Sequence, residues 1–316
     1  MMIEATRIEG GFVGLLVGDA LGVPYEFHRP DTLPPPDAIE MTPPTGFRRS
    51  HPSVPAGTWS DDGAQALCLA ATLVQRRGFD IGDFANRLRN WENVGYLAVD
   101  GHVFDMGIQT RRALLNLGEG FPPEFAGPSA EADNGNGSLM RVLPLALWHG
   151  AIGPRLIADA EAQSRVTHGH ARSRLCCAFY CAIACALAGG EAFDRAWRFA
   201  AETMRAHYPA DSDERRELEF VLDPVHEQIV SGSGYVLDSL WSARACLIDD
   251  PDFETAVRRA IALGRDTDTT ACIVGGLSGI VHGTEGIPQR WREALRGRDI
   301  LDPILRDFVA AVRARP

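Results

Sequence analysis

A chain of 316 residues with 45% hydrophobic content has ample material for a buried core. Its 42 acidic and 31 basic side chains give a formal charge of -11, a field that disfavours non-specific binding to nucleic acid. No run reaches the roughly 18 uncharged apolar residues of a membrane span, and the opening MMIEATRIEGG lacks the basic-then-apolar order of a secretory signal, so a cytoplasmic protein is expected.

In chain order, residues 8–22, IEGGFVGLLVGDALG, open as an apolar, glycine-rich helix. Residues 28–56 are Pro-rich and read as loop, because neither a helix interior nor a central strand accepts such a run. A helix follows over 61–77, with Ala66, Leu67, Ala70, Leu73 and Val74 on its inner side, then helices over 80–91 and 109–117. A Gly/Pro-rich loop spans 118–137. The next helix covers 139–149, with Pro144 near its first turn or at a kink. Further helices are expected at 155–166, 171–188, 191–206, 213–230, 236–245, 253–263, 269–281 and 287–295, with a last one near the C-terminus. Period-2 alternation of Val, Ile and Tyr is almost absent, and nothing repeats at a period of about 20–50 residues. The expected fold class is all-α, one compact multi-helix domain over residues 1–316.

Four of the seven cysteines fall in LCCAFYCAIACALAG, where Cys177, Cys181 and Cys185 share one helical face. No CxxC occurs and the neighbours are apolar, so they read as small buried residues of a reduced protein.

Two segments place paired carboxylates at the mouth of a helix. GTWSDDGAQ, residues 57–65, sets Asp61 beside Asp62, and GRDTDTTA, residues 264–271, carries Asp266 and Asp268. Capping alone accounts for either one. Ser60 is a good N-cap, aspartate suits a first turn, and Thr267 or Asp268 can cap the later helix. Together the two sites suggest more. Asp61 and Asp62 can reach two neighbouring points, and Asp266 and Asp268, if extended around Thr267, would aim the same way. Ser60 and Thr269 add hydroxyls. Such oxygens suit hard divalent cations. VGDALGVPYEF offers Asp19 and Glu26 as further acids.

Other polar clusters sit where apolar chain breaks off. Asp105 precedes a helix in FDMGIQT. DNGNGSLMR places Asn134 and Asn136 among glycines, and THGH puts His168 and His170 in one turn. SGSGYV, residues 231–236, has a backbone able to offer N–H groups to an anion, with Tyr235 able to stack on a base. Each has a plain alternative as a turn, cap or core residue. No GxGxxG follows a strand and no GKS or GKT occurs, so a Rossmann site or a triphosphate loop has no support.

These blocks, in this order, resemble the ADP-ribosylglycohydrolase family, and within it the bacterial type that removes ADP-ribose from an arginine of dinitrogenase reductase. The resemblance runs through GFVGLLVGDALGVPYEF, GTWSDDGAQALCLA, FDMGIQTRRAL, NGNGSLMRVLPLAL, THGHARS, SGSGYVLDSL and GRDTDTTACIVGGLSGIVHG, over about residues 8–290. The pairing of S/T-D-D with a late D-x-D-T is its specific part. It implies an all-α hydrolase with two divalent ions, Mg or Mn, held by Ser60, Asp61, Asp62, Asp266, Asp268 and Thr269. It implies catalytic roles for Glu26, at the metal centre or its water, and for Asp105, near the scissile ribose. It lines an ADP-ribose cleft with Asn136, Gly137, Ser138, His168, Gly232, Ser233, Gly234 and Tyr235, the tyrosine on adenine and the 232–234 backbone at the pyrophosphate. The implied partner is an ADP-ribosylated protein, dinitrogenase reductase being one instance, met by a monomer that releases free ADP-ribose from arginine. The alternatives are hydrolysis of O-linked ADP-ribose, on serine or as O-acetyl-ADP-ribose, and a non-catalytic ADP-ribose-binding module. Three departures stand out. Ser60 replaces the usual Thr, Arg265 replaces a second glycine before the late aspartate, and Ile108 with Gln109 adds one residue before Thr110 in the loop that would touch the leaving group.

Overall fold

Helix follows helix in the computed structural model, which describes residues 3–315: α1 (Ala5–Gly22), α2 (Asp61–Arg76), α3 (Ile81–Val94), α4 (Ile108–Gly118), α5 (Pro123–Ala126), α6 (Leu143–His149), α7 (Pro154–Arg165), α8 (Ala171–Ala188), α9 (Phe193–His207), α10 (Asp213–Val221), α11 (Val236–Leu247), α12 (Phe253–Ala262), α13 (Thr267–Gly286), α14 (Gln289–Ala294) and α15 (Arg298–Arg313). The one extended pairing among the described residues is an isolated antiparallel bridge between Gly135 and Tyr235. The fold is all-α, as expected.

The boundaries that differ from expectation have local causes. The helix expected over 213–230 ends at Val221, because Pro224 disfavours helical geometry at Asp223; a 3₁₀ turn continues over Pro224–Ile229. α6 begins at Leu143 rather than 139, which puts Pro144 in its first turn. α13 starts at Thr267 and runs to Gly286, across a kink at Gly283 (φ 65°). The 118–137 loop contains the single turn of α5.

Two glycine-rich helices form the axis. Gly10, Gly14, Gly18 and Gly22 repeat every four residues on one face of α1, and this face lies antiparallel against Gly279, Gly275, Ala271 and Asp268 of α13. A Cβ added at Gly18 would fall 2.0 Å from the carbonyl oxygen of Ala271, and one at Gly14 would fall 2.3 Å from that of Gly275. The backbones therefore touch, and only glycine permits this. The consequence for function is that Asp19, at the end of α1, meets the first turn of α13.

α8 packs beside this pair, with Tyr180 donating to the carbonyl of Ile273 at 3.0 Å. By length and composition α8 could cross a membrane (mean hydropathy 1.4), but 94% of it is buried inside the protein. All seven cysteines are buried and free, four of them on α8. One hydrophobic cluster links the helices, from Ile3 to Val312.

Candidate functional site

The N-termini of α2 and α13 converge, and the two aspartate pairs meet there. Ser60 is the N-cap of α2; its hydroxyl accepts from the Asp62 amide at 3.3 Å and donates to Asp62 Oδ2 at 3.0 Å. Capping and clustering are thus both real at this end. At α13 the expectation needs correcting. The N-cap position is Asp266, without a side-chain cap bond, while Thr267 donates to the Gly22 carbonyl and Asp268 accepts its neighbour's amide, from Thr269, at 2.9 Å. Asp268 already belongs to the first turn of the helix and Asp266 is its N-cap, so the extended backbone expected around Thr267 is absent, while the two side chains remain within reach of each other. Asp266 turns to the cavity and accepts from Asn136 Nδ2 at 2.7 Å. Asp268 turns inward.

Two groups of carboxylates bring ligand atoms within 4.8 Å of one another: Asp19, Asp62 and Asp268, deep in the protein, and Glu26, Asp105 and Asp268 above them. Asp268 is shared. Thr269 Oγ1 lies 3.4 Å from Asp62 Oδ2 and ties the two helix ends. Asp61 points toward the cavity side and accepts from Gln65 Nε2 at 3.1 Å.

Electrostatics show what this arrangement lacks. Among the described residues, no arginine or histidine lies within ion-pair distance of Asp19, Asp61, Asp62, Asp105, Asp266 or Asp268, and Glu26 contacts only His51, at 2.7 Å. Burial, followed by repulsion from Asp62 and Asp105, holds Asp61 well above the usual carboxylate range. Burial, then the charges of Asp19 and Asp266, do the same to Asp62, and burial, Glu26 and Asp62 to Asp268. Burial raises Asp19 to about 7 against the pull of two amide bonds. Burial, Asp105 and Asp266 take Glu26 up to about 10. His51 is itself held down by burial and Arg49, and its Nε2 lies 2.7 Å from Glu26 Oε2. Asp62 Oδ1 and Asp268 Oδ2 are buried without any hydrogen-bond partner. An all-oxygen donor set with orphaned carboxylate atoms and no counter-charge fits hard divalent cations. Of the six residues named as metal ligands, Asp62 and Asp268 belong to the two carboxylate groups, Ser60 and Thr269 are bonded to Asp62, and Asp61 and Asp266 line the cavity beside them.

A cavity of about 610 Å³ opens over the cluster. That is room for a nucleotide-sized ligand. Of the expected site residues, Glu26, Asp61, Asp105, Asn136, Gly137, His168, Ser233, Gly234, Asp266 and Thr269 line it. Ser60, Asp62 and Asp268 lie beneath it in the acid cluster, and three of the expected ligand-binding residues are also absent from its lining. Ser138 is fully buried behind the loop, bonded to Ser164. Gly232 and Tyr235 also lie outside the lining; the Tyr235 ring is half-buried against the core and its hydroxyl accepts from Arg172 Nη1 at 2.8 Å. The amides of Ser231 and Ser233, expected to face an anion, instead donate to the Asp238 carboxylate at 2.8 and 2.9 Å. His168 is buried, and burial lowers it to about 3, so it is neutral. His170 caps α8, accepting from the Arg172 amide.

Three non-glycine residues of the rim, Phe27, Asp105 and Arg265, have left-handed backbones (φ 63°, 49° and 62°). Such strain persists only where surroundings hold it. Phe27 and Arg265 are held by reciprocal backbone bonds, Phe27 N to Arg265 O at 2.6 Å and Arg265 N to His28 O at 2.7 Å. This geometry is the physical reason a glycine suits position 265. Asp105 is raised to about 6 by burial and by Asp266.

Asp19 has a larger part than its sequence context indicated. Its carboxylate accepts from the Ser60 amide at 2.9 Å and the Gly63 amide at 2.8 Å while belonging to the deep acid group. Its place within an apolar run, where a charge is out of keeping, was the available signal. Gln65 and Arg141 gave none.

The ADP-ribosylglycohydrolase family profile matches residues 2–316. The ADP-ribosylarginine hydrolase Tri1 of Pseudomonas putida is 32% identical over 295 residues, covering 91% of this chain and 73% of that protein. The ADP-ribosyl-[dinitrogen reductase] glycohydrolase of Rhodospirillum rubrum is 28% identical over 296 residues, 92% of this chain and 90% of its own. The ADP-ribosylhydrolase ARH3 of Homo sapiens is 24% identical over 343 residues, with coverage of 94% and 91%. A solved structure described as an ADP-ribosylglycohydrolase-related protein complex superposes with a TM-score of 0.75 at 31% identity, over 98% of both chains.

Proposed function

The chain belongs to the ADP-ribosylglycohydrolase family, and on that premise we propose that it hydrolyses the N-glycosidic bond between ADP-ribose and an arginine guanidinium on a modified protein. Water adds to the anomeric carbon, the carbon–nitrogen bond breaks, and free ADP-ribose and unmodified arginine leave. The observation that carries this reading is the set of buried carboxylates, without counter-charge, on the floor of a nucleotide-sized cavity.

Ser60, Asp61, Asp62, Asp266, Asp268 and Thr269 would hold two divalent ions, Mg or Mn, with Asp19 and Glu26 contributing charge. Such ions, when bound, polarise water and ribose hydroxyls. The protein's own groups do the rest. Asp105, which lines the cavity with Asp266, would orient the ribose and move a proton to the departing guanidine. Glu26, braced by His51, helps to seat the water. Asn136, Gly137, His168, Ser233 and Gly234 would border the sugar and pyrophosphate. With two of the loop's amides committed to Asp238, the pyrophosphate would lean on Gly234 rather than on Ser233. The shared core supports one domain over residues 1–316.

The relatives named ADP-ribosylarginine hydrolase Tri1 and ADP-ribosyl-[dinitrogen reductase] glycohydrolase favour arginine as the linkage, and a protein such as dinitrogenase reductase as the target. The likeness to ARH3 and the altered loop from Asp105 to Thr110 keep an O-linked substrate as the second reading. A non-catalytic module is disfavoured because every acid of the site is retained. The deciding experiment is a release assay with Mn or Mg on arginine-linked, serine-linked and O-acetyl ADP-ribose side by side. Arginine release is expected. Turnover of only the oxygen-linked forms would overturn the arginine assignment.

A further inference from the structure

Behind the site lies a fully buried arginine that takes no part in the chemistry above. Arg141 stacks over Phe84, 5.1 Å from the ring centroid. Its Nε donates to Gln163 Oε1 at 3.0 Å, and its Nη2 to the Gln163 carbonyl at 3.0 Å. Two bonds lead toward the site. Nη1 donates to Gln65 Oε1 at 2.7 Å, and Nη2 donates to Thr167 Oγ1 at 2.7 Å.

A guanidinium only donates, so each bond fixes the direction of the next. With its oxygen on Arg141, the Gln65 amide must turn its nitrogen away, and Nε2 donates to Asp61 Oδ2 at 3.1 Å. With its lone pair on Arg141, the Thr167 hydroxyl is free to donate to His168 Nδ1, 2.8 Å away. His168 then carries its proton on Nε2. That nitrogen faces the two lining glycines: a Cβ at Gly135 would fall 3.3 Å from it.

We propose that Arg141 is a positioning residue for both halves of the site: through Gln65 it aims the Asp61 carboxylate at the cation, and through Thr167 it sets the His168 tautomer that presents Nε2–H to the sugar-phosphate ligand. This rests on the function proposed above, and it assigns separate tasks to the two arms. Partners one bond behind metal ligands typically govern affinity about 10- to 100-fold.

The test uses the full chain and two titrations, Mn into metal-stripped protein and ADP-ribose into Mn-saturated protein, each with a melting curve. Gln65→Leu should raise the Mn Kd about 10-fold or more and leave the ADP-ribose Kd within about twofold of wild type. Thr167→Val should leave the Mn Kd unchanged and raise the ADP-ribose Kd several-fold, and Thr167→Ser, which keeps the hydroxyl, should restore it. Variants that melt lower but move neither constant, or that move both together, would reduce Arg141 to a core prop and overturn the relay. A wild-type protein that binds neither Mn nor ADP-ribose would instead remove the proposed function, and the relay with it.

Discussion

The carboxylate of Asp19 stands 2.9 Å from the backbone nitrogen of Ser60, so a residue of α1 closes the N-terminus of α2. The same carboxylate belongs to the deep acid group with Asp62 and Asp268. One side chain thus joins helix capping, helix packing and the candidate cation site, and the three should respond together.

Cations should stabilise the protein strongly, because the unfolded chain has no assembled site. At about 100 times its Kd, one bound ion adds about 2.7 kcal/mol, roughly 4 °C in Tm for a chain of this size. Differential scanning fluorimetry of metal-stripped protein, with and without Mn, measures this. Asp268→Asn, which alters the carboxylate shared by both groups, should abolish the rise; an unchanged response would place the ions elsewhere.

The pH dependence of the metal-free protein has a definite sign. Asp19 and Asp105 are raised to about 7 and about 6 from an ordinary 3.8. A group raised in the folded state binds protons that the unfolded chain has already lost, so stability is full below about pH 4 and falls as pH climbs through the raised values. Urea unfolding in chelator should therefore show greater stability at pH 5 than at pH 8. Saturating Mn should flatten or reverse that trend, since a cation favours the ionised carboxylates. A chelated protein equally stable at both pH values would contradict the burial described here.

Gly18→Ala tests the axis. Its new Cβ would sit 2.0 Å from the Ala271 carbonyl oxygen, so the helices must part. We expect a loss of about 3 kcal/mol or more together with weakened Mn binding, because Asp19 and Asp268 separate. Gly78→Ala, where nothing lies within 4 Å, is the control and should leave metal affinity alone.

Asp105→Asn should lower kcat by about 100-fold or more while ADP-ribose still binds. If turnover survives in Asp105→Asn but is lost in Asp61→Ala, the metal site stands and the proton role of Asp105 does not.

Tyr235 offers a ring that is half-buried and a hydroxyl tied to Arg172, which in turn pairs with Glu217. An offset stack on adenine is worth about 0.5–1.5 kcal/mol beyond burial. Isothermal titration should therefore find ADP-ribose bound several-fold more weakly by Tyr235→Ala and nearly normally by Tyr235→Phe. Normal binding by the alanine variant would leave the ring a core residue only.

Helix periodicity, capping residues and the paired aspartates were readable because each depends on neighbours within about one turn. The four-residue glycine spacing on α1 was also visible, but its meaning was not: it becomes a surface only when α13, some 250 positions away, presents Gly275 and Gly279 to it. Arg141 was hidden for the same reason, and Asp19 was visible as an acid but not as the cap of α2, since their partners Gln65 and Ser60 come from other segments. The extended backbone expected around Thr267 is absent because helix α13 begins two residues early, at Thr267, with Asp266 as its N-cap. The commitment of the Ser231 and Ser233 amides to Asp238 is local, and the aspartate seven and five positions on was the signal to use.

The seven buried thiols give the native protein an unusual chemical silence. Burial pushes Cys68, Cys185 and Cys246 up to about 12 and Cys177 up to about 11, and the thiolate is the form that alkylates or oxidises. To a maleimide the folded molecule is effectively cysteine-free. A single cysteine introduced on an exposed helix face would carry a dye alone, with every natural cysteine left in place. Natural thiols would become labelled only when the helices that bury them, α2, α8, α11 and α13, open, so their reaction records how often the molecule unfolds.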